Sequence, residues 1–276
     1  MPNLSAWAAD LPTDVAGSEA QFHDLWMDQL TAVTDPIELA LRGGLLAPRF
    51  GWIFSAGYQA AIRHTFPQAA LEPWSAFAVS EDRSGARPGV VYQKHADGDV
   101  LHGTKTWVAA SAHCRTVIIS AKGEAGTRYY AVPREDKGVL IETRPAGRVL
   151  PDLSQGSLML DAWIGGETLD DQRVPGFQLN EVFYIYLAFL ASTWRFYPAR
   201  QAAVESLLAQ ALLLLQSGQS GQSGQRDDLI VDDAFLGFEG GVQALLNEMR
   251  AQEGEQDALW RRDYKLIAMY SRQPKT

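Results

Sequence analysis

The sequence predicts an α+β multidomain protein: N-terminal helices, a middle β-domain of small-barrel or sandwich type, and a C-terminal helical bundle. Three observations predict it. Apolar residues recur at helical spacing before residue 72, short β-branched and aromatic runs fill residues 73–172, and the helical period returns over 173–276. At 276 residues the chain is long enough for two or three such parts.

In the first part, Phe22, Leu25, Trp26, Leu30 and Val33 fall on one helical face. Asp35-Pro36-Ile37-Glu38 is a helix start, with a capping Asp, a first-turn Pro and a Glu three residues after the cap. Gly43-Gly44 is expected to close that helix, and a third runs from Pro48 to Thr65, stopping before Pro67.

Strands are expected at 76–80, 90–95, 99–103, 116–120, 128–132, 139–143 and 157–160. Asp97-Gly98 is a hairpin signal between the second and third. Beyond Gly176 a long apolar segment covers 181–215, and Pro198 should break it, because an interior proline costs about 3 kcal/mol. The Ser-Gly-Gln repeat of 216–225 offers no apolar face and reads as a flexible loop. Helices are expected over 232–251 and 256–270.

Composition narrows the function. Lys+Arg number 24 against 33 Asp+Glu, a net charge of −9, and phosphate backbones call for the opposite balance. No nucleic-acid partner is expected. The single cysteine, Cys114, cannot form an internal bridge. The opening Met1-Pro2-Asn3-Leu4 lacks a signal peptide's basic and apolar regions, and Val182 to Leu190 falls short of the roughly 20 residues that cross a bilayer. No membrane partner is expected, and a cytoplasmic location is.

Few motifs carry chemistry alone. Gly98 to Lys105 comes close to a phosphate-binding loop, but Thr104-Lys105 reverses the required order and strands follow it, so a structural turn is favoured. The five histidines form no ligand spacing, even with Cys114 adjacent to His113, and no metal is expected. A Gly-x-Ser-x-Gly elbow is missing too.

Two segments are more informative together than apart: Ala76-Phe77-Ala78-Val79-Ser80-Glu81 and Gly103-Thr104-Lys105-Thr106-Trp107-Val108-Ala109. They bracket the hairpin. With Gly237-Phe238-Glu239-Gly240-Gly241, similar to a Phe-Gly-Gly turn, and Leu259-Trp260-Arg261-Arg262-Asp263-Tyr264-Lys265, similar to an Arg-Asp-x-Lys helix, they resemble the acyl-CoA dehydrogenase family over residues 70–270.

That resemblance implies FAD as cofactor, an acyl-CoA substrate and assembly into homo- or hetero-oligomers. It implies a reaction in which a carboxylate takes the α-proton and the flavin accepts a hydride. By resemblance Ser80 matches the hydroxyl near the flavin, Trp107 the aromatic beside its ring, and Ala109 a second hydroxyl position, here without its hydroxyl. The family's pyrophosphate-holding Gly-Ser-Asp is here Arg83-Ser84-Gly85-Ala86, which leaves Ser84 as the candidate hydroxyl. The family's Arg-x-x-Phe-Gly loop falls on the Ser-Gly-Gln tract, and the bundle's last helix is not matched.

The expected catalytic Glu falls at Ser271, and serine cannot abstract the proton unaided. A minority of the family carries its Glu on the helix that opens the bundle, matching Leu187-Ala188, in a run with no carboxylate between Glu181 and Glu205. Glu239 is a weak substitute base, and the role of a solvated helix residue is favoured for it. Two functions therefore stand: an acyl-CoA dehydrogenase-like flavoprotein lacking the usual Glu, or a non-catalytic subunit of the same fold assembling with a partner chain.

Overall fold

The structure, a computed structural model, describes residues 3–12, 16–67, 74–96, 98–145, 147, 149–218, 229 and 231–252. The chain divides into two compact units: residues 1–61 with 176–276, and residues 62–175. No described helix is long and apolar enough to cross a membrane.

The first unit is helical. It contains α1 (Leu4–Ala9), α2 (Glu19–Leu30), α3 (Pro36–Leu46), most of α4 (Phe50–Thr65), α5 (Phe177–Phe196), α6 (Gln201–Gly218) and α7 (Asp233–Gln252). Ser18 caps α2 by accepting from the Gln21 amide, and Phe22, Trp26 and Leu30 form its buried stripe. The helix ends at Leu30, so Val33 lies outside it. Asp35 caps α3 with its Oδ1 2.7 Å from the Glu38 amide nitrogen, as the sequence indicates.

Gly43-Gly44 does not end α3, contrary to expectation; the helix runs through both to Leu46. The reason is close packing. A Cβ on Gly43 would stand 2.6 Å from the Trp26 ring, and one on Gly44 2.7 Å from Ala188 Cα in α5. Gly57 of α4 plays the same part, since a Cβ there would lie 2.5 Å from Ile185 Cα. With glycine at these points the helix backbones approach closely, which offsets the roughly 1 kcal/mol that each glycine costs a helix.

α5 is covered all round, with every residue from Asn180 to Thr193 buried. Pro198 does break the apolar segment: α5 stops at Phe196, a short 3-10 turn spans Pro198–Arg200, and α6 follows. The helix expected over 232–251 is present as α7, and the segment similar to a Phe-Gly-Gly turn lies inside it rather than in a turn, because Phe235, Phe238, Val242, Leu245, Leu246 and Met249 form a continuous buried stripe. Most of the Ser-Gly-Gln tract, and the helix expected at 256–270, fall outside the described residues.

The second unit is built on one curled mixed sheet of seven strands. They are β1 (Ser75–Ala78), β2 (Val91–His95), β3 (Gly98–Ala109), β4 (Thr116–Gly123), β5 (Gly126–Pro133), β6 (Val139–Arg144) and β7 (Gln155–Gly165). Their order is β1-β4-β2-β3-β7-β6, with β5 paired to β4. β1 and β2 run parallel to β4, and the remaining pairings are antiparallel. The Asp97-Gly98 signal holds, since β2 and β3 pair from His95↔Gly98 outward. The run that resembles a phosphate loop is extended strand inside β3. His113 and Cys114 lie in the turn between β3 and β4 rather than in a strand. Tyr92, Leu101, Val117, Ile119, Tyr130, Leu158 and Trp163 are among the sheet's core.

Two glycines give opposite mutational expectations. Gly57→Ala drives a methyl into the α5 backbone and should cost about 2 kcal/mol or more. Gly237→Ala, on an exposed face of α7 with nothing within 4 Å, should gain about 0.5–1 kcal/mol. Chemical denaturation of both variants checks the pair.

Candidate functional site

The two segments singled out in the sequence meet in space. β1 ends at Ala78 and leads into exposed Val79 and Ser80. The Thr106 amide donates to the Ser80 carbonyl oxygen at 2.9 Å, and the Thr106 hydroxyl reaches the same oxygen at 3.3 Å. Ser80 therefore sits beside Thr106-Trp107. Trp107 is half-buried, and its indole N–H donates to Gln155 Oε1 at 3.1 Å. Gln155 is itself held through its Nε2, which donates to the Val149 carbonyl at 2.6 Å.

A β-bulge aims these side chains. β3 pairs with β7 as Lys105↔Leu158 and next as Val108↔Gly156, so Thr106 and Trp107 together oppose Ser157. The extra residue breaks the strict alternation of faces, and bulges often re-aim side chains in this way. Lys105 and Val108 both turn inward, while Thr106 and Trp107 remain partly exposed.

Lys105 is 0% exposed, and its Nζ donates to Glu81 Oε1 at 2.8 Å and to Ser120 Oγ at 3.1 Å. The exposed Lys122 approaches the other carboxylate oxygen at 3.3 Å. The hydrogen bond from Lys105 holds the Glu81 carboxyl below its usual range, against the opposing effect of burial. Burial lowers the Lys105 ammonium, and Glu81 partly restores it. Gly89 leaves room for the pair, since a Cβ there would lie 2.5 Å from Glu81 Cδ. Both charged residues thus knit the end of β1 to β3 and β4. Neither was assigned a role from sequence, although a lysine among inward-facing strand residues is a signal that a carboxylate must come to it.

Ser84 lies in an exposed turn closed by Asp82. Its amide and hydroxyl both donate to Asp82 Oδ1, at 2.9 and 2.7 Å, and the Arg87 amide donates to Oδ2 at 3.2 Å. These bonds, the Ser84 hydroxyl first, hold the Asp82 carboxyl below its usual range. Ala109 is buried at the end of β3, paired with Gln155. Ser271 lies outside the described residues. A half-buried indole beside the Ser80–Thr106 junction offers a flat face that fits a planar heteroaromatic ring. The donors of the Asp82 turn are already spent and offer less to a phosphate.

Two carboxyls in the helical unit need separate description. Glu239 is not a solvated helix residue: it is 0% exposed, and its Oε1 accepts from the Tyr186 hydroxyl at 2.8 Å. Gln243 Nε2 donates to that hydroxyl at 3.3 Å, completing a buried link between α5 and α7. Glu181, in the second turn of α5, is 8% exposed, and burial pushes its carboxyl up to about 8.

Helices, a curled mixed sheet, and further helices that join the first set define the acyl-CoA dehydrogenase fold. Solved structures place the chain in that class. It is similar to PigA with FAD and proline, at a TM-score of 0.64 and 11% identity over 98% of this chain and 91% of that one. A glutaryl-CoA dehydrogenase from Mycobacterium smegmatis matches at 0.57 and 14% identity, covering 97% and 89%. AnaB, a prolyl acyl carrier protein oxidase, matches at 0.52 and 14%, covering 83% and 76%. No protein-family model and no curated protein matches the sequence. At these identities the likeness is one of fold.

Glu81→Gln leaves the Lys105 ammonium buried against a neutral amide and should cost about 3 kcal/mol, whereas Lys122→Ala should cost less than about 1 kcal/mol. Because the Glu81 carboxyl is depressed, its stabilisation is complete above an unfolded pKa of about 4.3 and fades as pH falls through the folded value. Glu81→Gln should therefore flatten the acid limb of a stability-versus-pH curve. For Glu181 the sign reverses. Up to about 8 the folded protein keeps a proton that the unfolded chain has released, so stability falls as pH rises through that window, by at most about 1.4 kcal/mol per pH unit. Glu181→Gln should remove this slope, as urea midpoints between about pH 5 and about pH 8 will read.

Proposed function

We propose that this protein is a flavin-dependent oxidoreductase of the acyl-CoA dehydrogenase type that acts on acyl thioesters and lacks the usual catalytic Glu. The observation that carries this reading is the junction of Ser80 with the Thr106-Trp107 bulge, which sets a pinned indole beside the chain leaving β1. Supporting it are likenesses of fold along nearly the whole chain to PigA with FAD and to the mycobacterial glutaryl-CoA dehydrogenase in complex with FADH2.

When bound, FAD would supply the two-electron acceptor for a carbon–carbon dehydrogenation. The chain's own residues would do the rest. Trp107, fixed through Gln155, would cover the ring; Ser80 would donate a hydrogen bond to it; Ala109 would contribute shape but no hydroxyl. Ser84 would have to share with a pyrophosphate the donors it now gives Asp82. At Ser271 the chain offers no base of its own. On this reading residues 1–72, 73–172 and 173–276 act as helical, β and bundle domains of a cytoplasmic homo- or hetero-oligomer. The thioester would be carried by CoA or by a carrier protein, as the names of the glutaryl-CoA and prolyl carrier-protein enzymes suggest.

A second reading, a non-catalytic subunit assembling with a complete partner chain, is favoured by the same departures: a spent Ser84, an apolar Ala109 and Ser271.

The visible spectrum of the purified protein separates the two. A yellow protein with flavin absorbance is expected, and a colourless one that refuses added FAD would sink the first reading. Ser271→Glu in the flavin-loaded protein should produce thioester-dependent bleaching that the parent lacks, followed by absorbance under anaerobic conditions. Bleaching by the unaltered protein would contradict the missing base.

A further inference from the structure

Gln155, the first residue of β7, spends its side-chain amide on two neighbours. Its Oε1 accepts from the Trp107 indole N–H at 3.1 Å, while its Nε2 donates to the Val149 carbonyl at 2.6 Å and to that of Leu150 at 3.3 Å. Only one orientation of the amide serves all three bonds. Turned end for end, it would set donor against donor at the indole and oxygen against two carbonyl oxygens. The backbone beneath it is held as well. Gln155 pairs with Ala109, and the preceding Ser154 accepts from the Ser111 amide at its carbonyl (3.3 Å) and from the Ala112 amide at its hydroxyl (2.9 Å). Only the side chain is left to adjust.

The chain that the amide grips has an unusual conformation. Leu150 has φ +50°, a region that bulky L residues seldom occupy, and its side chain is buried. Its carbonyl also accepts from the Leu153 amide at 3.0 Å, which closes a turn. Gly147 comes near too, since a Cβ there would stand 3.6 Å from Gln155 Nε2. On the other flank Ala110, next after the Ala109 that pairs with Gln155, has φ +52°. Two left-handed residues thus bracket the one side chain that pins the candidate indole. Such conformations persist where the surroundings over-determine them, and they gather at functional sites. Val149, gripped beside Leu150, is 50% exposed, so the held backbone reaches the surface.

We infer that Gln155 is a positioning residue for the ring site: it joins the tilt of the Trp107 indole to the set of the backbone at Gly147, Val149 and Leu150, so that neither changes without the other. A planar ring laid against the indole therefore stiffens that backbone, and a loosened backbone weakens the hold on the ring. Coupling of this kind acts equally in both directions. It deepens the flavin reading and rests on it for the identity of the ring.

Hydrogen exchange of the peptide spanning 149–154, read by mass spectrometry on the full-length protein, measures the coupling with and without FAD. Trp107→Phe keeps an aromatic ring, removes the N–H and touches none of the bonds from Gln155 to the backbone. It should nonetheless speed exchange of this peptide about fivefold, the factor that one ordinary hydrogen bond is worth. Gln155→Leu should do at least as much and should bind FAD about fivefold more weakly. Saturating FAD should slow exchange here in the parent and have no such effect in Gln155→Leu. Should the leucine variant fail to fold, Gln155→Glu, which still accepts from the indole but cannot donate to the carbonyls, should show the same fast, FAD-insensitive exchange. Exchange that Trp107→Phe leaves at the parent's rate would overturn the inference and make Gln155 a fastener of its own turn alone. A parent that binds FAD with no change in this peptide refutes the coupling and spares the flavin reading. One that rejects FAD while Trp107→Phe still speeds exchange refutes the flavin reading and spares the coupling.

Discussion

The β-unit depends on an ammonium group placed where water cannot reach it. Lys105 has no exposed surface, and a lone charge in such a place would cost far more than a domain's net stability, so Glu81 and Ser120 must be held against it. Meeting that demand shapes everything nearby. The chain leaving β1 must turn Glu81 inward, Gly89 must lack a side chain, and β3 must carry its bulge one residue further on. Ser80 and Trp107 stand where they do because they flank these two charges in sequence. The structural pair and the candidate site form one arrangement.

The helical unit is governed by a different constraint, the close approach of backbones. Gly44 and Gly57 let α3 and α4 settle on the main chain of α5. With every face of its central turns covered, α5 has few places for a polar group. Those that occur are therefore conspicuous: the Tyr186 hydroxyl is met by Glu239, whereas the Asn180 Nδ2 has no partner among the described residues.

Period and punctuation made most of this architecture legible in the sequence. All seven strands lie where β-branched runs and turn residues put them, and Asp35 and Pro198 act as their chemistry requires. The errors arose where tertiary packing outweighed local propensity. Gly43-Gly44 reads as a helix end, yet both glycines sit inside α3, where close packing against Trp26 and Ala188 outweighs the backbone cost. Glu239 read as solvated because Glu usually is, and nothing local announces that Tyr186 will meet it. The site was visible only as two motifs. Their contact, through Thr106 and Ser80, is a long-range hydrogen bond that spacing along the chain does not encode.

The helical unit is discontinuous, since α3 and α4 precede the whole sheet and α5 follows it. Bonds that fasten α5, such as Arg195 to the Leu45 carbonyl and Ser192 to that of Ala47, close intervals of 150 and 145 residues. Contacts so distant in sequence slow folding, because the loop between them must be gathered first. During synthesis the early helices would emerge with the glycine seats for α5 vacant and their apolar faces uncovered. Those faces stay unpartnered until residue 196 has been made, so apolar surface is exposed for as long as the sheet is being synthesised.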